Sequence, residues 1–287
     1  MREPNSPLPW QEMPAGAADT RRHVRGPVQQ ASVLIIAGLD PSGGAGLLAD
    51  AHVVLSHGFH VAGTVTAVTE QDSVMCSWMH PTETGMVSNQ IARLVDDFEI
   101  RGVKVGMLAN AQMATTVAKA LRRLHASGVP IVVDPVIRAS RGIALLEGNA
   151  REALAPLMAM ATVLTPNIDE LALLTGEHTA DHADAMAASA RKLRQLGPRA
   201  VLAKGGHLPG GELVDVLVDD EGVHEIHALR VEGVTPHGTG CALSSEIACR
   251  LAFGAPLREA VEGATKRVRV RIAEARAVGR GRPFLGM

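Results

Sequence analysis

Tyrosine is absent from this 287-residue chain, and its remaining aromatic residues, two Trp and four Phe, make up only 2 % of it. With so few rings there is no platform for stacked bases. The formal net charge of −2 likewise gives no basic field for a phosphate backbone. Cysteine is scarce: Cys76, Cys241 and Cys249 lack metal-site spacing and set no disulfide framework, so a reducing cytoplasm is expected. No apolar run is long enough to span a membrane, and the first residues lack the continuous apolar stretch of a signal peptide. Neither nucleic acid nor a membrane is therefore expected as a partner.

What the chain does have is 46 % hydrophobic residues, so its core must be built from Ala, Val, Leu, Ile and Met. Residues 1–30 carry prolines and scattered charges without periodicity and are expected to form a disordered tail. From residue 31 to 287 no linker or repeat interrupts the pattern, which predicts a single domain. Short apolar runs at 32–37, 61–68, 103–107, 130–133, 162–164 and 200–203 read as strands. Between most of them lie segments with helical spacing, at 87–98, 112–126, 151–159, 168–174 and 183–196. Such alternation predicts an α/β fold with right-handed crossovers and a mostly parallel sheet covered on both faces. The runs 213–218 and 224–231, flanking Asp219-Asp220-Glu221-Gly222, read as a C-terminal antiparallel hairpin. In the last helix Val261, Ala264, Val268, Ile272 and Ala275 form the buried stripe, and Arg267, Arg269 and Arg271 are expected on a solvated face.

Two loops stand out. Gly38-Leu39-Asp40-Pro41-Ser42-Gly43-Gly44-Ala45-Gly46 follows the first strand and precedes a helix carrying Asp50. Strand, glycine-rich loop and helix bring backbone close to a small ligand, although the loop matches neither Walker A nor GxGxxG. The second, Gly238-Thr239-Gly240-Cys241, opens a segment with apolar residues at Leu243, Ile247 and Leu251. Its amides and the positive end of the helix predict an anion site. The same helix end is expected to lower the pKa of Cys241.

In a doubly wound sheet, ligands bind beyond the carboxyl ends of the strands. Asp40, Glu70, Met107, Asp134, Asn167 and Lys204 all fall at or just past such ends. Each has a plain structural reading, Asn167 as a helix cap above all, but on one rim with an anion site they suit phosphoryl transfer. Asp134 and Glu170 have the hard oxygen donors that Mg²⁺ takes. Lys204 suits nucleotide phosphates, and the Gly238–Cys241 amides suit charge developing on the transferred group.

The segments AGLDPSGGAGLLAD (37–50), VKVGML (103–108), IVVDPV (131–136), TPNIDELALLTG (165–176), LAKGGH (202–207) and HGTGC (237–241) together resemble the hydroxymethylpyrimidine/phosphomethylpyrimidine kinases of thiamine biosynthesis. The resemblance runs from about Ser32 to Ala275. It implies a ribokinase-like three-layer α/β/α sandwich, ATP and Mg²⁺, a homodimer, and phosphorylation of 4-amino-5-hydroxymethyl-2-methylpyrimidine and then of its monophosphate. It also implies that Cys241 stands where sugar kinases carry the aspartate base. Glu70 would then contact the pyrimidine, with Gly38, Asp40 and Asp50 near its polar groups. Lys204, Asn167 and Thr239 would serve ATP, and Asp134 and Glu170 the metal. The chain departs from the family pattern at Leu48, where glutamine is common, and at Ile137–Gly142, where the loop lysine is missing and either Arg138 or Arg141 is expected to supply the positive charge from a shifted position. A pyridoxal or pyridoxine kinase and a non-catalytic pyrimidine-binding regulator are the alternatives.

Overall fold

The computed structural model describes residues 29–139, 142–206, 212–231 and 233–286. The expected tail, apart from residues 29 and 30, and also Ser140, Arg141 and His207, lie outside the described residues. The chain opens with β1 (Ser32–Leu39), α1 (Gly46–Ser56), β2 (His60–Gln71), β3 (Cys76–Pro81) and α2 (Thr84–Asp97). It continues through β4 (Ile100–Val105), α3 (Ala111–Ala120), α4 (Arg122–Ala126), β5 (Ile131–Val133), α5 (Ala150–Met158) and β6 (Val163–Leu164). Next come α6 (Ile168–Thr175), α7 (Ala183–Arg194), β7 (Ala200–Ala203), β8 (Glu212–Val218), β9 (Val223–Leu229), α8 (Thr239–Ala252) and α9 (Leu257–Ala273).

The strands form one nine-stranded sheet in the order β3-β2-β1-β4-β5-β6-β7-β8-β9. Pairs from β2–β1 through to β6–β7 are parallel, whereas β2–β3, β7–β8 and β8–β9 are antiparallel. Successive side chains on a strand point to opposite faces, and the two cores divide accordingly. Leu34, Ile36, Val103, Val105, Ile131 and Val133 pack with α2, α3, α5, α6 and α7. Their neighbours Val33, Ile35, Val132 and Val163 pack with α1, α8 and α9. The result is the three-layer α/β/α sandwich, with the antiparallel hairpin at one edge.

Two features differ from the sequence reading. At the other edge β3 was not expected: its residues, Cys-Ser-Trp-Met-His-Pro, lack strand alternation, and it pairs antiparallel with Ala67–Gln71 of β2, which runs past the expected strand end at Val68. The three arginines of α9 do not share a solvated face. Arg267 is exposed, but Arg269 donates to the Leu229 carbonyl and Arg271 is buried. Arg271 donates to Ser56 Oγ at 2.7 Å and lies 3.4 Å from Glu246 Oε1. A buried carboxylate on α8 holds it inside, a partner that spacing along one helix does not reveal.

Candidate active site

The carboxyl ends of β1, β4, β5 and β7 open into a cavity of about 760 Å³. At one side sits the glycine-rich loop after β1. It is wound around the buried carboxylate of Asp40, which accepts hydrogen bonds from Ser42 N–H (2.8 Å), Ser42 O–H (2.7 Å) and Ala45 N–H (3.0 Å). Burial would raise the Asp40 pKa, but His237 and Ser42 hold it below the ordinary range. The Gly238 turn presses against this loop. Gly238 has φ +81°, and a Cβ there would stand 2.0 Å from the Gly44 carbonyl oxygen, so only glycine fits. Gly46, at φ +60°, is forced the same way by the Gly38 carbonyl at 2.3 Å.

Gly238 is the N-cap of α8, and Thr239, Gly240 and Cys241 form its first turn. First-turn amides lack helical acceptors, and here all three residues line the cavity. Opposite them, Lys204 donates to Asp134 Oδ1 at 2.8 Å. A Cβ on Gly240 would come within 3.2 Å of the same Lys204 Nζ. Asp134 also accepts from Thr165 (3.1 Å) and Ser244 (3.4 Å). Burial pushes Asp134 up, yet Lys204 and Lys104 outweigh it and keep the carboxylate below its usual range.

Asn167 and Glu170 form a reciprocal capping box on α6. Asn167 Oδ1 accepts from Glu170 N–H at 2.9 Å, and Glu170 Oε2 accepts from Asn167 N–H at 2.9 Å. Both also line the cavity. Burial, opposed by Lys204 and reinforced by Asp134, pushes the Glu170 carboxyl up to about 7.

The cavity thus brings together Gly38, Asp40, Asp134, Asn167, Glu170, Lys204 and Gly238–Cys241. Two expected residues are elsewhere. Glu70 is exposed on β2, opposite Trp78 of β3, and does not line the cavity. Its neighbour Gln71 faces inward, because adjacent residues on a strand point to opposite sides. Gln71 Nε2 donates to Asp40 Oδ2 at 3.1 Å and lies 2.8 Å from His237 Nε2. Asp50 is fully buried, accepts from Lys104 Nζ at 2.5 Å and Ser245 Oγ at 2.8 Å, and does not line the cavity.

Cys241 also departs from expectation. Burial pushes its thiol up to about 11, although Lys104 pulls it down; Asp50 and Asp134 push it further up. The helix end does not offset the loss of water, so Cys241 is a thiol at neutral pH. Sequence reasoning passed over three cavity residues, Gln71, Lys104 and His237. For Lys104 the signal was present: a lone lysine within the apolar run Val103–Val105.

A family model for phosphomethylpyrimidine kinase matches residues 40–284. The chain belongs to the phosphomethylpyrimidine kinase family. It is 43 % identical over 245 residues to a hydroxymethylpyrimidine/phosphomethylpyrimidine kinase of Streptomyces coelicolor, covering 84 % of this chain and 88 % of that one. Among solved structures, a phosphomethylpyrimidine kinase from Clostridium difficile 630 superposes with a TM-score of 0.72 at 32 % identity, covering 84 % of this chain and 98 % of that one. An ADP complex of Bacillus subtilis pyridoxal kinase superposes at 0.81 with 27 % identity, covering 90 % and 97 %. Membership in the phosphomethylpyrimidine kinase family makes this chain a phosphotransferase of ribokinase-like fold.

Proposed function

We propose that the chain phosphorylates 4-amino-5-hydroxymethyl-2-methylpyrimidine, and then its monophosphate, with ATP in thiamine biosynthesis. The observation that carries this reading is the shared cavity, whose lining combines the first turn of α8 with Lys204, Asp134 and Glu170. A loose phosphoryl-transfer transition state needs positioned donors and cations more than covalent help. The Thr239, Gly240 and Cys241 amides would receive the charge on the transferring group, and Lys204 would hold donor phosphate oxygens. Beside the Gly238 turn Gln71, fixed by Asp40 and His237, would bind the aminopyrimidine edge, since a side-chain amide both donates and accepts.

Among the described residues no group of three or more His, Cys, Asp or Glu could cage a metal. Two buried carboxylates do suit Mg²⁺, which keeps several waters and takes the rest of its shell from phosphate. Asp134 and Glu170 would hold it, and the ion would neutralise phosphate charge. Cys241, a neutral thiol at rest, would first have to lose its own proton to solvent; the thiolate would then take the hydroxymethyl proton as the oxygen–phosphorus bond forms.

A pyridoxal kinase is the second reading, supported by the overlap with the Bacillus protein. Steady-state ADP release with ATP, Mg²⁺ and each alcohol decides between them. The pyrimidine reading expects the higher kcat/KM for hydroxymethylpyrimidine, and a higher value for pyridoxal would overturn it. Homodimerisation and a cytoplasmic location belong to the same proposal. Among the described residues no helix is long and apolar enough to cross a membrane. Sedimentation of the purified chain would test the dimer.

A further inference from the structure

Lys104 is the next-to-last residue of β4, at the carboxyl end of the strand, and its side chain is completely buried. A charge taken out of water is costly unless partnered, and a buried ion pair is a poor source of net stability compared with apolar packing. Here the pair is elaborately supported. Lys104 Nζ donates to Asp50 Oδ2 at 2.5 Å, and Asp50 Oδ1 accepts from Ser245 Oγ at 2.8 Å. Ser245 lies four residues after Cys241 on α8, hence on the same face of that helix. Gly106 makes room for the ammonium: a Cβ at that position would stand 2.7 Å from Nζ. Finally, Lys104 lines the cavity alongside Cys241, while Asp50 behind it does not. An ammonium has three N–H bonds, and among the described residues Asp50 is the acceptor found for them.

We infer that Lys104, anchored by Asp50 and Ser245, is a positioning residue for Cys241, placing a fixed positive charge where the sulfur becomes a thiolate. Its relevance to catalysis rests on the kinase reading above. In that reaction the substrate O–H bond breaks, the oxygen–phosphorus bond forms, and the bond between the β- and γ-phosphates of ATP breaks to release ADP. The proton passes to Sγ, which must be ionised to take it. The charged groups around Cys241 are Lys104 from β4, Asp50 from α1, Asp134 beyond β5 and Lys204 beyond β7. Of these the inference singles out Lys104, because its cation is held in place by residues that serve no other visible purpose at the cavity.

The test is the pH profile of Cys241 alkylation by iodoacetamide in the full chain, read by mass spectrometry of the Cys241 peptide so that Cys76 and Cys249 do not contribute. Thiolate, not thiol, reacts. Lys104→Met is expected to move the midpoint to higher pH and slow modification at pH 8 by about tenfold, equivalent to one pH unit of lost thiolate. Asp50→Asn, which removes the opposing negative charge, is expected to move the midpoint down. Lys104→Arg, which keeps the charge, stays close to the unmodified chain. If Lys104→Met does not fold, the other two variants still decide, since a merely structural pin predicts no downward shift in Asp50→Asn. Coincident profiles for the folded variants would overturn the inference. Because the readout needs neither ATP nor pyrimidine, shifted profiles in a chain that releases no ADP would sink the kinase reading and leave the role of Lys104 standing.

Discussion

Asp40 and His237 lie 197 residues apart in the chain, yet their side chains meet at 3.0 Å. That contact ties the glycine-rich loop after β1 to the turn that starts α8. Gln71 reaches both partners, so the wall that would bind substrate and the amides that would receive phosphate are one assembly. Moving either loop disturbs both.

Gly238→Ala tests this coupling. Left-handed φ disfavours a side chain, and the new Cβ would collide with the Gly44 carbonyl. We expect a loss of about 1–3 kcal/mol in stability from the backbone strain. Displaced amides should lower kcat by roughly 10²-fold. Thermal melts and ADP release measure the two effects separately.

Gln71→Ala and Glu70→Ala should behave differently. Gln71 lines the cavity and Glu70 is exposed on the opposite side of β2. Loss of a hydrogen-bonding group aimed at the ring should raise KM for the pyrimidine by about tenfold or more. Glu70→Ala should leave KM unchanged within about twofold, as surface substitutions generally do. Initial rates over a range of pyrimidine concentrations check both.

Glu170 predicts a pH effect on stability. Its pKa is about 7 in the folded chain, against about 4.3 when unfolded. Between those values the folded state binds more protons than the unfolded state, so stability falls as pH rises through the window. Asp134, whose pKa is lowered, acts oppositely, and its contribution is lost only as pH falls below the ordinary carboxylate range. Glu170→Gln should therefore flatten Tm between pH 4.5 and 7. A variant with the wild-type slope would contradict the assignment of that slope to Glu170.

Arg271→Met should destabilise without touching the cavity. It leaves the fully buried Glu246 with His57 at 2.7 Å and the more distant Arg250, but without Arg271 on its other oxygen, a change expected to cost on the order of 1–3 kcal/mol. The control Arg267→Met, at an exposed position, should stay within about 0.5 kcal/mol. Urea unfolding of the two variants compares them directly.

The layered architecture was legible because central parallel strands are continuous apolar runs and their covering helices keep a 3.6-residue period. What escaped depends on partners distant in sequence. β3 exists because β2 extends past its apolar stretch and offers an edge. The choice between Glu70 and Gln71 turns on strand register, where one residue reverses the face. The inward turn of Arg271 is due to Glu246 on the preceding helix. The glycine loops, Asp134, Asn167, Glu170 and Lys204 were readable from their positions at strand ends. The protonation of Cys241 was not, since a helix end is visible in sequence whereas the burial that outweighs it is a property of the packed cavity.

The most direct test is product analysis by mass spectrometry after incubating hydroxymethylpyrimidine with ATP and Mg²⁺. The account predicts successive appearance of the monophosphate and diphosphate, with ADP formed in step, and both products lost in Lys204→Met. Unchanged pyrimidine in the presence of folded wild-type chain would contradict it.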